Sequence, residues 1–231
     1  MIQGIREQFK AKLEPTGWLR VLEEFIDSHK FSVLMNQLIA KKVEGVLTPD
    51  LNQVFRAFYE CPYDKLNTVL VNLDPYPEEG EADGLAFSCG NTNDVQPQLH
   101  VIFTEVQKTV YRYDNWYAWE PDLTRWAKQG VLLLNLSMTT EIDKIGVHKD
   151  IWKPFIDYLF QKLIDMNTGL IYIFIGLAAS DWAKKIPESN YKFFCYHPNA
   201  ALISGDPWNS NEVFVRVNEL LESNNGLKII W

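Results

Sequence analysis

The chain has 231 residues, of which 47% are hydrophobic and 13% aromatic, so it can bury a full core and we expect a single domain over residues 1–231. A formal net charge of −8 argues against a sequence-independent grip on nucleic acid, although it leaves room for a local positive groove. No apolar stretch approaches the roughly 20 residues of a membrane span, no targeting pattern opens the chain, and three cysteines lack metal-like spacing. These features predict a soluble intracellular protein, in the cytoplasm or in a host cell's cytoplasm or nucleus, without disulfides or zinc.

The first third of the chain has helical spacing. Residues 17–42 place Leu22 and Phe25 on one face and Glu23 on the other, which predicts an amphipathic helical region. Thr48-Pro49-Asp50 is a helix-start signal, and Cys61-Pro62 ends the helix that it predicts. The buried stripe expected on this second helix is Leu51, Val54, Phe55 and Phe58.

Four apolar runs follow, separated by stretches of helical length. The runs cover residues 68–73, 130–135, 170–175 and 191–196. The predicted helices cover residues 98–113, 123–128, 150–165, 178–185 and 211–222. Alternation of this kind predicts a three-layer α/β/α fold around a central four-stranded, mostly parallel sheet.

Three of these runs end in a polar residue that suits chemistry. Asp74 follows the first run, Asn135 closes the second, and His197 follows the last. Sheets of this class bind ligands outside the carboxyl ends of their strands. We therefore expect the three side chains to meet in one crevice.

The motifs around these residues resemble those of the uracil-DNA glycosylases of the most widespread type. The family's Gly-Gln-Asp-Pro-Tyr-His appears as residues 72–77, Asn-Leu-Asp-Pro-Tyr-Pro, and its Gly-Leu-x-Phe-Ser as residues 84–88. Residues 126–135 match the family's uracil-recognition strand, and His-Pro-Asn-Ala-Ala at 197–201 stands where the family has His-Pro-Ser-Pro-Leu. Four motifs in the family's order imply its fold and its activity, which requires no metal or cofactor.

The reaction of this family explains the residue types at the matching positions. Cleavage of the bond to uracil builds positive charge on the sugar and negative charge on the base. The site therefore needs an anion near the sugar and hydrogen-bond donors directed at the base oxygens. The resemblance assigns Asp74 to orienting the water and stabilising the sugar cation, and His197 to a hydrogen bond with uracil O2. Asn135 can donate and accept at once, which suits uracil O4 and N3–H and disfavours cytosine. Phe87 would stack on the flipped base, and Tyr76 would fill the space of thymine's methyl group.

The sequence departs from the family pattern inside the first motif. Leu73 replaces the glutamine, which removes a polar side chain from the pocket wall while its backbone N–H can still contact the base. Asn72 stands in place of the opening glycine, and Pro77 in place of the closing histidine. Viral members of the family also carry Asp-Pro-Tyr-Pro, together with a shortened His-Pro-Ala-Ala segment, so the present chain is similar to viral forms.

Further departures fall on the residues that handle DNA. Family members pinch the DNA backbone with serines, and the matching positions here are Gln98, Leu177 and Asn199. The apolar wedge that fills the vacated base stack falls at Ala201, which is too small unless Leu202 replaces it. We therefore expect compression of the DNA backbone and insertion of a side chain into the base stack to differ from those of the family. A protein partner could supply additional contacts to DNA.

Four carboxylates lie within residues 78–83, beside the expected site. The interpretation that we favour is a solvated loop, because charge runs generally face water. If the loop instead faces the groove, it repels phosphates and weakens DNA binding.

The sequence leaves three functional hypotheses. The first is an active glycosylase that hydrolyses the N-glycosidic bond of uracil in single- or double-stranded DNA and leaves an abasic site. The second is a catalytically inactive relative that serves as a binding module in a replication, repair or transcription complex. The third is a glycosylase acting on another base, which the loss of the family's glutamine would permit.

Overall fold

The computed structural model describes residues 2–113 and 119–231 of the chain. Four strands form a parallel sheet, as the sequence predicts. The strands are β2 (Thr68–Asn72), β3 (Val131–Asn135), β5 (Ile171–Ile175) and β6 (Tyr191–Cys195), and their order in the sheet is β3-β2-β5-β6. A separate antiparallel pair, β1 (Leu47–Thr48) and β4 (Thr140–Glu141), was not predicted.

Helices connect and cover these strands. Those before β2 are α1 (Ile2–Leu13), α2 (Leu19–Asp27), α3 (His29–Val43) and α4 (Arg56–Glu60). Those after it are α5 (Pro97–Thr109), α6 (Thr124–Ala127), α7 (Lys149–Met166), α8 (Leu177–Ser180), α9 (Asn199–Ser204) and α10 (Val213–Asn225). Short 3₁₀ turns cover Tyr63–Lys65 and Asp181–Lys185. No helix within the described ranges is long and apolar enough to cross a membrane.

Burial follows the position of each strand in the sheet. All residues of β2, β3 and β5 are buried, because helices cover the sheet on both faces. The edge strand β6 is partly exposed, with Phe194 44% accessible. Two aromatic clusters fill the spaces beside the sheet. One contains Phe25, Phe55, Phe58, Trp152 and Phe155, and the other Phe103, Trp126, Phe214 and Trp231.

The N-terminal helices differ from the prediction in two respects. The region 17–42 is two helices, since Ser28 is extended and its hydroxyl accepts a hydrogen bond from the Phe31 amide, which starts α3 anew. The predicted helix at Thr48 begins only at Arg56, because Thr48 is paired in β1 and residues 51–55 form turns. Most of its expected apolar stripe is nevertheless buried, and Cys61 ends the helix as predicted.

Candidate active site

A cavity of about 240 Å³ opens at the carboxyl ends of the parallel strands. The chain passes from β2 to β3 on one side and later to β5 on the other, so this edge holds the reversal of strand order where such folds bind ligands. Most of the predicted site residues line the cavity together, whereas Asn135, Ala201 and Leu202 are not among its lining residues. The lining residues are Asn72, Leu73, Asp74, Pro75, Tyr76, Pro77, Phe87, Gln98, Ile145, His197 and Asn199.

Asp74 lies just beyond the carboxyl end of β2, and its carboxylate is partly shielded from solvent. Both of its carboxylate oxygens are buried without a well-formed hydrogen bond to any described residue. Burial raises the pKa of Asp74 to about 6, against the opposing influence of the Ser137 hydroxyl, the Gly146 amide and the Lys149 charge. The carboxylate is therefore ionised at neutral pH, is poorly neutralised by the protein, and is available to a developing positive charge.

His197 lies in the same cavity as a neutral imidazole. Burial lowers the pKa of His197 from its ordinary value, which favours the uncharged form at neutral pH. Its Nδ1 accepts a hydrogen bond from the Asn199 amide at 3.2 Å, so the proton of the neutral ring is on Nε2. His197 can thus donate a hydrogen bond from Nε2 without carrying a charge.

Phe87 is held in the cavity wall by a constrained loop. Its φ of 65° lies in the left-handed region, and its carbonyl accepts a hydrogen bond from the Tyr76 hydroxyl at 3.1 Å. The Phe87 and His197 rings lie 5.7 Å apart between centroids and are inclined by 38°. Gly84 enters this loop at φ 94°, where an added Cβ would lie 2.0 Å from the Gln53 carbonyl oxygen. The loop therefore requires glycine at its start and presents one face of Phe87 to the cavity.

The acidic run beside the site has two different roles, which corrects the expectation of a solvated loop. Glu78 and Glu79 are exposed, as expected. Asp83 is fully buried, pairs with Arg56 at 2.7 Å, and accepts hydrogen bonds from the Ser88 hydroxyl at 2.6 Å and the Gly90 amide at 2.9 Å. Asp83 is therefore a structural anchor of the loop that carries Phe87.

Asn135 lies beside Asn72 on the neighbouring strand. The two residues end β3 and β2 at the same register, and each is 4% exposed. The Nδ2 of Asn72 donates to Asn135 Oδ1 at 3.0 Å and to the Asp74 carbonyl at 2.8 Å. From the sequence, Asn72 stood out only as a departure from glycine, yet its side chain lines the cavity and bonds Asn135.

Of the residues expected to handle DNA, two line the cavity and the others do not. Gln98 and Asn199 line the cavity, and Gln98 Oε1 is buried without a partner among the described residues. Leu177 is 81% exposed, so this replacement for a family serine places an apolar side chain in solvent. Leu202 is 45% exposed and Ala201 is partly buried.

Three contributors to the site were not predicted from the sequence. Ser137, two residues after Asn135, and Lys149, the first residue of α7, both lower the pKa of Asp74. Ile145 lines the cavity and is 68% exposed. The available signal was the position of these residues in the segment between the carboxyl end of the second apolar run and the helix predicted from residue 150.

Comparison with known proteins agrees with these features. A uracil-DNA glycosylase of Listeria innocua is 32% identical over 216 residues, covering 93% of this chain and 96% of that protein. A uracil-DNA glycosylase of Campylobacter fetus is 32% identical over 227 residues, covering 96% of this chain and 94% of that protein. No family model matches the chain.

Solved structures show the same fold. The crystal structure of mimivirus uracil-DNA glycosylase superimposes with a TM-score of 0.81 at 23% identity, covering 94% of this chain and 86% of that one. The glycosylase from Nitratifractor salsuginis gives a TM-score of 0.61 at 17% identity, covering 96% and 98%. With relatives above 30% identity along nearly the full length, the chain belongs to the uracil-DNA glycosylase family and is a DNA-repair glycosylase.

Proposed function

We propose that this enzyme releases uracil from DNA with Asp74 and His197 acting on opposite ends of the breaking bond. The observation that carries the proposal is their placement in one cavity, an ionised carboxylate that the protein only partly neutralises and a neutral imidazole with its proton on Nε2. Rupture of the C1′–N1 bond leaves its electron pair on the base and positive charge on the sugar. Asp74 would stabilise that charge, and His197 would donate to uracil O2, where negative charge collects.

Water completes the reaction. Its oxygen bonds to C1′, and the proton that it loses passes to the Asp74 carboxylate and then to solvent. A pKa of about 6 suits this task, because the carboxylate is mainly ionised at neutral pH yet basic enough to accept a proton. The base leaves as an anion and takes up one proton from solvent, so that the products are free uracil and an abasic site.

Recognition of the base is assigned to the remaining residues of the site. Asn135 would donate to O4 and accept from N3–H, and Phe87 would stack on the base through the face that its loop presents. Tyr76, 8% exposed and anchored through its hydroxyl to the Phe87 carbonyl, would occupy the space beside C5 and exclude thymine. Leu73 contributes an apolar wall.

Access to this cavity requires the target nucleotide to leave the base stack. Gln98 and Asn199 at the cavity mouth would contact the flanking DNA backbone. Leu202, with Ala201 too small, would enter the vacated space, and the neighbouring Ile203 is 86% exposed and able to assist. We also propose an intracellular location, where the DNA substrate is, and a protein partner that compensates for the replaced serines.

The test is uracil release from matched single-stranded and duplex oligonucleotides by wild type and Asp74→Asn, at low and moderate salt. We expect release by wild type and a loss of several orders of magnitude in Asp74→Asn. Asp64→Asn, at an exposed carboxylate outside the cavity, is the matched control and should retain wild-type activity. Full activity of Asp74→Asn would refute the assignment, and no release by folded wild type would favour a binding module.

A further inference from the structure

Asn72 and Asn135 form a coupled amide pair because of the sheet register. Both end parallel strands at paired positions, and side chains at the same register of neighbouring strands stand on the same face of the sheet. Each is 4% exposed, so neither amide can exchange its protein partners for bulk water. The hydrogen bonds of one amide must therefore fit those of the other.

The backbone determines which way Asn72 is oriented. The Asp74 carbonyl oxygen, 2.8 Å away, can only accept, so the atom of Asn72 that faces it must be the donor Nδ2. The second hydrogen on Nδ2 then points to Asn135 at 3.0 Å and requires an acceptor there. Asn135 must consequently turn Oδ1 toward Asn72.

This constraint matters because an amide can be reversed. With one end presented to the base, Asn135 matches the N3–H donor and O4 acceptor of uracil, and after a 180° rotation it matches the reversed pattern of cytosine. Oδ1 has two lone pairs, so it can accept from Asn72 and still accept from N3–H. A reversed Asn135 would set two N–H groups against each other and leave a buried donor unpaired.

A second observation points to a ligand in contact with this pair. Asn72 lines the cavity, and its Oδ1 is buried without a hydrogen-bond partner among the described residues. An unpaired buried acceptor is costly until a donor arrives. The cavity therefore suits a ligand that brings a donor to Asn72, while the discrimination between uracil and cytosine rests on the orientation of Asn135.

We propose that Asn72 is a specificity-determining residue that holds Asn135 in the single amide orientation that accepts uracil and rejects cytosine. A glycine at this position, as in the motif that the sequence resembles, has no side chain to do this. The inference rests on the proposed role of Asn135 in reading the base.

The experiment compares Asn72→Ala with wild type in single-turnover release from oligonucleotides that differ only in carrying uracil or cytosine as the target. If both Asn135 orientations become equally populated, half of the molecules remain competent and uracil release falls only about twofold. Loss of the hydrogen bond by which Asn72 orients Asn135 should lower the ratio of the uracil release rate to the cytosine release rate about 5- to 10-fold. A general structural defect would slow uracil release and cytosine release by the same factor and leave their ratio unchanged.

Two further variants make the result specific. Thr68→Val, on the same strand and face as Asn72 with a buried and unpaired hydroxyl, should leave the ratio unchanged. Asn135→Asp serves as the positive control for cytosine release. If Asn135→Asp alters the ratio and Asn72→Ala does not, this inference fails while the proposed role of Asn135 stands. If Asn72→Ala alters the ratio and Asn135→Asp does not, both the proposed orienting role of Asn72 and the proposed role of Asn135 are refuted.

A measurement on the wild type covers the case in which Asn72→Ala does not fold. Both Nδ2 hydrogens of Asn72 are bonded, so its side-chain amide signals should exchange with solvent slowly and should show two inequivalent, hydrogen-bonded protons by nuclear magnetic resonance. Exchange as fast as that of the exposed Asn52 amide would overturn the proposal.

Discussion

Replacing Asp74 by asparagine should abolish catalysis and at the same time stabilise the fold at alkaline pH. The pKa of this carboxyl rises from 3.8 to about 6 because the cavity desolvates it. A group with a raised pKa in the folded state contributes stability that is present below the unfolded pKa and is lost as pH rises through the folded value. Above pH 6, wild type therefore carries the full cost of an ionised, partly buried carboxylate.

The size of this cost follows from the shift. About two pKa units correspond to at most about 3 kcal/mol at 1.36 kcal/mol per unit. The cavity is open to water, and solvent screening reduces the expected gain to about 1–2 kcal/mol. For a chain of this length, that gain raises the midpoint of thermal unfolding by roughly 3–6 °C.

The assay is thermal unfolding of wild type and Asp74→Asn at pH 8 and pH 4, beside uracil release at pH 8. We expect the variant to unfold at a higher temperature at pH 8, the difference to shrink toward pH 4 where wild-type Asp74 is also neutral, and uracil release to be lost. Asp64→Asn should show neither effect. An equal difference in unfolding temperature at both pH values, or a less stable variant at pH 8, would refute the view that the ionised Asp74 destabilises the folded state.

The other expectations concern the same cavity and its supports. Uracil release by wild type should rise with pH and reach half its plateau near pH 6, as Asp74 ionises; a rate independent of pH between 5 and 8 would contradict this. Asp83→Asn should lower the free energy of unfolding by about 1–3 kcal/mol in urea, because it replaces the buried carboxylate that accepts from Arg56, Ser88 and Gly90 by a neutral amide while Arg56 keeps only Asp122 as a close carboxylate partner, whereas Glu78→Gln on the exposed part of the loop should not. Ile203→Ser should slow release from duplex DNA several-fold more than from single strands, which have no stack to fill; an equal effect on both substrates would exclude Ile203 from the wedge.

The sheet was predictable because its signal is local. Runs of apolar residues such as 131–134 can be buried on both faces only in a covered parallel sheet, and the polar residue after each run lies at the edge where the strands end. The ordered motifs then indicated the family before any contact was known.

The errors arose where a tertiary contact overrode a local signal. Thr48-Pro49-Asp50 has the composition of a helix start, but Thr48 is used in pairing with Thr140, a partner 92 positions away in the sequence. Residues 17–42 carry one continuous helical pattern, and the break at Ser28 became evident only from its capping hydrogen bond. Asp83 lies in a run of carboxylates that composition places in water, yet Arg56 draws it into the interior.

The sequence by itself determined the α/β class, the strands and the identity of the groups that carry chemistry, because hydrophobic periodicity and ordered motifs are properties of short segments. Only the tertiary structure decided the state of those groups. The raised pKa of Asp74, the Nε2 proton of His197 and the orientation of Asn135 depend on burial and on partners distant in sequence. Desolvation and hydrogen-bond geometry are set by how separate segments pack together, which no single segment encodes.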